Sequence, residues 1–273
     1  MKFEQIAFKL WRLARSSPRH FMARLIAKPP HELREEQERL FTSIGLSRAD
    51  GENFIHNSVR ETMDLHMGTS EHYLVFAALA ASGYSPSKIL EIGTFDGAFA
   101  RFLGSVFPKT QITTLDLPLE EGFDNEYGRK AANSYVLERA TNLKASPNVK
   151  LIERNSVALT TETKWRFDAI WVDGDHGYPV ATIDITNSIR LLNPGGYLLV
   201  DDVYLRVEDP DERLRSLSAY QTLCTLVSAG TIGDFHLIRK RLTPRAQSPL
   251  AEKIHRYRAK TRHSTIVAIT TSC

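Results

Sequence analysis

The chain has only two cysteines among its 273 residues, Cys224 and Cys273. That is too few for a disulfide framework or a cysteine-based zinc site. No uninterrupted apolar run approaches the roughly 18 residues of a membrane-spanning helix. The first residues intersperse Lys2, Glu4, Lys9 and Arg12 with apolar side chains, which breaks the continuous apolar stretch a secretory leader needs. A cytoplasmic location is therefore the expectation. Low-complexity tracts and internal repeats are also missing. What is present is ordinary for a globular protein, with 42% hydrophobic and 25% charged residues.

The net charge of +3 conceals an uneven distribution. Residues 1–28 hold seven Lys/Arg against Glu4 alone, and residues 239–262 hold nine against Glu252 alone, so the body between them is acidic. Basic ends on an acidic body suit an anionic surface such as a membrane face, a phosphorylated carrier or an acidic glycan, or pairing with the acidic body in a homo-oligomer. Nucleic acid is not the expected partner: the sequence has neither an Asn-Pro-Pro-Tyr-like base-methylating motif nor an aromatic-basic stripe.

Periodicity divides the chain in two. Residues 1–69 read as a helical extension, with apolar positions at helical spacing in Phe3, Ile6, Leu10 and Leu13, a break at Lys28-Pro29-Pro30, and a charged helix from His31 to Phe41. Residues 70–273 read as the main domain, opening with an apolar helix over 70–81. From Lys88 short apolar runs alternate with helical segments: strands at 88–92, 111–115, 149–152, 167–172 and 197–200, helices at 98–106, 127–143, 180–192 and 213–227, and two last strands near 235–238 and 265–269. Asn193-Pro194-Gly195-Gly196 is expected to stop the helix before the fifth strand. Continuous apolar strands separated by helices predict an α/β fold, a mostly parallel, doubly wound sheet covered on both faces.

Ligands of such sheets bind beyond the carboxyl ends of the strands. Those ends read Gly93, Asp116, Asn155-Ser156, Asp173 and Asp201-Asp202. Gly93 and Gly97 flank the first strand-to-helix turn, where glycine permits close backbone approach to a ligand. Asp116, ending the second strand, can accept hydrogen bonds from both hydroxyls of a ribose. A dinucleotide fingerprint needs a second glycine where Phe95 stands, and a pyrophosphate would be crowded there. Glu91 would repel a diphosphate but suits a cationic aminoacyl group. The set Glu91, Gly93, Thr94, Phe95, Gly97 and Asp116 is thus expected to hold a nucleoside cofactor with a positive end.

Taken together, Ile89-Leu90-Glu91-Ile92-Gly93-Thr94-Phe95-Asp96-Gly97, Leu115-Asp116, Asp173-Gly174-Asp175-His176, Leu192-Asn193-Pro194-Gly195-Gly196 and Asp201-Asp202-Val203 resemble class I S-adenosylmethionine-dependent methyltransferases, from about residue 67 to 241. Within that superfamily the later segments resemble small-molecule and sugar O-methyltransferases that use a divalent metal. The resemblance implies a Rossmann-like seven-stranded sheet whose last strand is antiparallel. It also implies S-adenosylmethionine as cofactor, with Asp116 on its ribose, Asn155 and Ser156 near its adenine, and Asp173 at the meeting of cofactor and acceptor. Met67-Gly68-Thr69-Ser70 resembles a loop that closes over the cofactor.

Three carboxylates meeting in one cleft repel one another, so one is protonated or a cation sits between them. Asp173, Asp201 and Asp202 are expected to hold a hard divalent ion, Mg²⁺ above all. His176, three positions after Asp173, is the expected general base, since histidine exchanges protons near neutral pH. Asp184, on the next helix, is expected at the surface or in a cap. The predicted activity is O-methylation of a hydroxyl on a small molecule or glycan with divalent-metal assistance. The alternatives are a metal-independent methyltransferase of other specificity and a non-catalytic binding protein of the same fold.

Overall fold

The computed structural model describes residues 31–59, 70–118, 129–205, 216–240 and 266–271. The chain divides into two compact units, one of residues 37–241 with 264–273 and one of residues 1–36 with 242–263. The candidate site belongs entirely to the first. Residues 1–30, Met67 to Thr69 and 241–262, where several expectations fall, lie outside the described residues.

In chain order the elements are α1 (His31–Ser43), α2 (Arg48–Phe54, running into a π-helical turn at Ile55–Val59), α3 (His72–Ala81), β1 (Lys88–Ile92), α4 (Ala98–Val106), β2 (Gln111–Asp116), α5 (Arg129–Lys144) and β3 (Val149–Glu153). A 3₁₀ turn at Ser156–Thr161 follows, then β4 (Phe167–Val172), α6 (Val180–Leu191), β5 (Leu192–Val203), α7 (Ser218–Ser228), β6 (His236–Arg239) and β7 (Ile266–Thr271). The seven strands form one sheet in the order β3-β2-β1-β4-β5-β7-β6. β1 to β5 are parallel and β7 runs antiparallel to both β5 and β6. This is the doubly wound, mostly parallel sheet that periodicity predicts, with the antiparallel last strand that the family resemblance implies.

Alternation along the strands sorts the core into two layers. Ile89, Ile112, Trp171 and Leu199 face Phe41, Ile55, Phe76, Phe99 and Phe102 from α1–α4. Their strand neighbours Leu90, Leu115, Ile170 and Leu198 face Ala181, Ile185, Leu191 and Leu223 from α6 and α7. Burial on both faces suits the apolar runs Ile89-Leu90, Ala169-Ile170-Trp171-Val172 and Leu198-Leu199-Val200.

Two departures from the sequence reading have clear causes. β5 begins at Leu192 because Leu192 pairs with Phe167 across an irregular step, and Asn193-Pro194-Gly195-Gly196 is absorbed into the strand start. A Cβ on Gly196 would come within 2.8 Å of the Asp168 carbonyl oxygen, so that crossing demands glycine. α2 goes unpredicted because Arg48-Ala49-Asp50-Gly51-Glu52-Asn53-Phe54 is almost wholly polar. It is held by the Ser47 cap on the Asp50 N–H and by Arg48, whose guanidinium grips Glu71 at 2.7 and 2.9 Å.

Candidate active site

The site lies at the carboxyl ends of the parallel strands, where strand order reverses between β1 and β4. From β1 the chain winds outward through β2 and β3, then returns to lay β4 and β5 on the other side. That reversal opens a crevice between the two strand ends.

On the β1 side the turn after Ile92 is built from left-handed backbone at Gly93 (φ 100°), Phe95 (φ 50°) and Gly97 (φ 71°). Gly93 is required less by a ligand than by the neighbouring strand. A Cβ there would stand 2.1 Å from the Asp173 carbonyl oxygen. The Phe95 conformation is costly for a side-chain-bearing residue and is held from three directions. Its N–H donates to Asp116 Oδ2 at 2.9 Å, its carbonyl accepts from Arg139 Nε at 2.8 Å, and its ring lies 4.3 Å from that of Tyr135. Asp96 caps α4 by accepting from the Ala98 N–H.

Asp116 is therefore a brace as well as a candidate ribose ligand. Its Oδ1 accepts from the Leu117 N–H at 2.9 Å, and Arg139 lies 3.4 Å from Oδ2. Burial raises its pKa, against the pull of Arg139 and the backbone donors. Glu91 is fully buried, and desolvation pushes its pKa up to about 8, with Asp116 and Asp96 adding to the rise and a hydrogen bond from Thr114 opposing it. Thr114 in turn shares a 2.5 Å hydrogen bond with Thr94. The first cleft wall is thus a group of crowded acids whose charged forms a cationic ligand would favour, as an aminoacyl-sulfonium cofactor requires.

Asn155 and Ser156 sit at the head of the 3₁₀ turn after β3. The Asn155 side chain caps that turn on the Val157 N–H at 3.0 Å. Asp184 is not at the surface: it is 1% exposed, faces Gly174 and the Ser156 region, and burial raises its pKa to about 6. Its position on α6, packed against β4, overrides its polar character.

On the β4 side the structure brings Asp173, His176, Asp201 and Asp202 together. His176 Nε2 lies 3.7 Å from Asp173 Oδ1 and 3.6 Å from Asp202 Oδ2. Val172 pairs with Val200, which aligns the two strand ends. Consecutive residues of a regular strand point to opposite faces, yet Asp201 and Asp202 converge. β5 spends three steps from Val200 to Val203 where β7 spends two, from Ala268 to Ile266. The resulting bulge, with Asp202 at φ 47°, re-aims the second carboxylate.

The cation among these acids is Lys240, which sequence reasoning placed in a basic tail segment. Its Nζ donates to Asp201 Oδ2 and, at 2.7 Å, to Asp202 Oδ1. Lys240 stays charged, its pKa raised by the three carboxylates despite its burial. Against its burial, Lys240 and the nearby His72 lower the pKa of Asp201, while burial and then Asp201 raise that of Asp173. Asp201 Oδ1 is buried, and the Asp173 carboxyl is a hydrogen-bonding neighbour of Asp201. The expected divalent-ion site is not met by this donor set. The three aspartates adjoin as predicted, but an ammonium lies between two of them, and no group of three His, Cys, Asp or Glu able to hold a metal occurs among the described residues.

Fold and site together define an α/β domain with an acid-lined crevice where its strand order reverses. Residues 90–203 match the model of a family described as a methyltransferase domain. The matched span runs from within β1 to the end of β5, and so holds Glu91, Asp116, Asp173, Asp201 and Asp202. No curated protein matches it significantly. Among solved structures, a candidate O-methyltransferase from Klebsiella pneumoniae is similar over 88% of this chain and 97% of its own, at 15% identity and a TM-score of 0.51. An O-methyltransferase from Streptomyces achromogenes involved in tomaymycin synthesis, in complex with S-adenosylmethionine, covers 94% of this chain and 96% of its own, at 16% identity and 0.49. At such identities the first likeness speaks for the fold. No helix among the described residues is long and apolar enough to cross a membrane.

Proposed function

We propose that this chain transfers the methyl group of S-adenosylmethionine to a hydroxyl oxygen of a small molecule or sugar. The observation that carries the reading is the pairing, across one crevice, of an acid-lined cradle on β1 and β2 with the His176–Asp173–Asp202 group on β4 and β5. The cofactor supplies an electrophilic methyl group on a cationic sulfur. Glu91 and Asp116 offer anionic partners to its amino and ribose groups. Phe95, fixed by Asp116, Arg139 and Tyr135, shapes the turn beneath it. His176, with Asp173 and Asp202 on either side to orient the imidazole, is the base that takes the proton from an acceptor hydroxyl. In-line alignment of acceptor oxygen and methyl carbon is the principal contribution of such a site.

The divalent-ion part of the sequence reading is not carried into this proposal, because Lys240 already holds Asp201 and Asp202. The test is calorimetric titration with S-adenosylhomocysteine. Wild-type chain should bind, and Asp116→Ala should weaken binding about tenfold or more, equivalent to about 1.4 kcal/mol. Absence of binding by folded wild-type protein overturns the proposal.

A further inference from the structure

We infer that Lys240 is the resident cation of the acceptor site, standing where a divalent ion would otherwise bridge Asp201 and Asp202, so that this site works without a metal. The inference rests on the methyltransferase reading above and assigns a positioning residue within it.

Three observations on geometry support it. The bulge in β5 turns two consecutive carboxylates toward one point, and the Lys240 Nζ fills that point, bonded to one oxygen of each. The ammonium is enclosed: the Lys240 side chain is 12% exposed and that of Asp201 is 0% exposed, against 19% for His176 and 20% for Asp202. The lysine is also anchored through its backbone. Its carbonyl accepts from the Glu71 N–H at 2.7 Å, and the preceding carbonyl, of Arg239, accepts from Gln37 at 2.9 Å. Glu71 is itself clamped by Arg48.

A divalent ion entering here would have to displace the ammonium from both carboxylates and then tolerate it nearby. Two like charges a few ångströms apart in a partly buried site repel strongly. Hard divalent ions also need several oxygen ligands at once, and here one oxygen of each of Asp201 and Asp202 is committed to Lys240. The free oxygen of Asp202 faces His176 at 3.6 Å. Lys240 thereby fixes the carboxylate that orients the imidazole.

The test uses the full chain saturated with S-adenosylhomocysteine and titrated with Mn²⁺, bound ion being read by electron paramagnetic resonance. Wild type should show no stoichiometric Mn²⁺ at about 1 mM free ion, a concentration that fills ordinary carboxylate sites. K240M, which keeps the stem and removes the charge, should gain Mn²⁺ affinity by about tenfold or more, and K240R should not. One Mn²⁺ per wild-type chain, abolished by D201N, overturns the inference, as does a folded K240M with no gain. Should K240M fail to fold, the wild-type and D201N titrations decide by themselves. Calorimetry on the same wild-type sample separates the two levels: failure to bind S-adenosylhomocysteine sinks the methyltransferase reading, while the Mn²⁺ result reports on Lys240.

Discussion

The carbonyl oxygen of Asp173 occupies the space that a side chain on Gly93 would need: a Cβ built there falls 2.1 Å from it. The two residues close β1 and β4, and the Asp173 N–H donates to the Ile92 carbonyl at 2.8 Å. Gly93→Ala therefore meets a backbone atom and also carries a side chain at φ 100°. The expected loss is about 3 kcal/mol or more, measurable by urea unfolding, and S-adenosylhomocysteine binding should fall with it. A loss below about 1 kcal/mol would mean the strands part easily at this seam.

Glu91 gives stability a definite pH dependence. Its carboxyl holds a proton up to about pH 8 in the folded chain, against an ordinary value of 4.5. Between these pH values the folded state binds the extra proton, so stability falls as pH rises, by up to about 1.4 kcal/mol per unit. Above about pH 8 the slope from this group vanishes. Glu91→Gln should flatten Tm over pH 5–8 and match or exceed wild type at pH 8.5. If the cofactor's ammonium pairs with Glu91, binding at pH 7 should also release protons, seen as a binding heat that varies with buffer ionisation enthalpy. A heat independent of buffer would remove Glu91 from contact with the cofactor.

Arg48 and Glu71 form a buried, two-pronged pair that ties α2 to the start of α3. Removing one partner strands the other charge, at a typical cost of about 3–5 kcal/mol. Glu71→Gln and Arg48→Met should each lower stability on that scale in urea. The double variant should lose less than the two losses combined. Full additivity would show that the pair is not coupled.

Asp184 predicts the opposite sign. Burial raises its pKa to about 6 against an ordinary 3.8, outweighing a hydrogen bond from Ser156, and Asp175 adds to the rise. Its ionisation therefore weakens the fold as pH rises from about 4 to 6. Asp184→Asn should stabilise the chain at pH 7.5 by about 1–3 kcal/mol. A destabilised variant would mean that the carboxylate has a partner such as a bound ligand or ion.

The sheet was legible because strands such as β1 and β4 are short, rich in apolar residues and followed by a small or acidic residue, Gly93 and Asp173. β1, at Lys88–Ile92, and β4, at Phe167–Val172, fall where periodicity puts them. The acids of the site were legible for the same reason, being strand-terminal. Lys240 and Arg139 were not. Lys240 stands in a run of basic residues that reads as one solvated segment, and only the antiparallel return through β7 brings it to Asp201. Arg139 lies on α5, a largely polar helix with no marked apolar stripe, so nothing local shows that it reaches the Phe95 carbonyl. Asp184 misled because side-chain polarity argues for exposure, whereas helix orientation decided its burial.

The switch in strand order at β1 and β4 has a consequence for how such a protein changes. Residues 88–118 carry most of the groups that would greet the donor, and residues 173–240 carry those that would greet whatever receives the methyl group. The two sets lie on separate stretches of polypeptide that meet only along one seam. Substitutions in the later stretch can alter which hydroxyl is presented without rebuilding the earlier one, so new acceptors are reachable by small steps from an unchanged donor pocket.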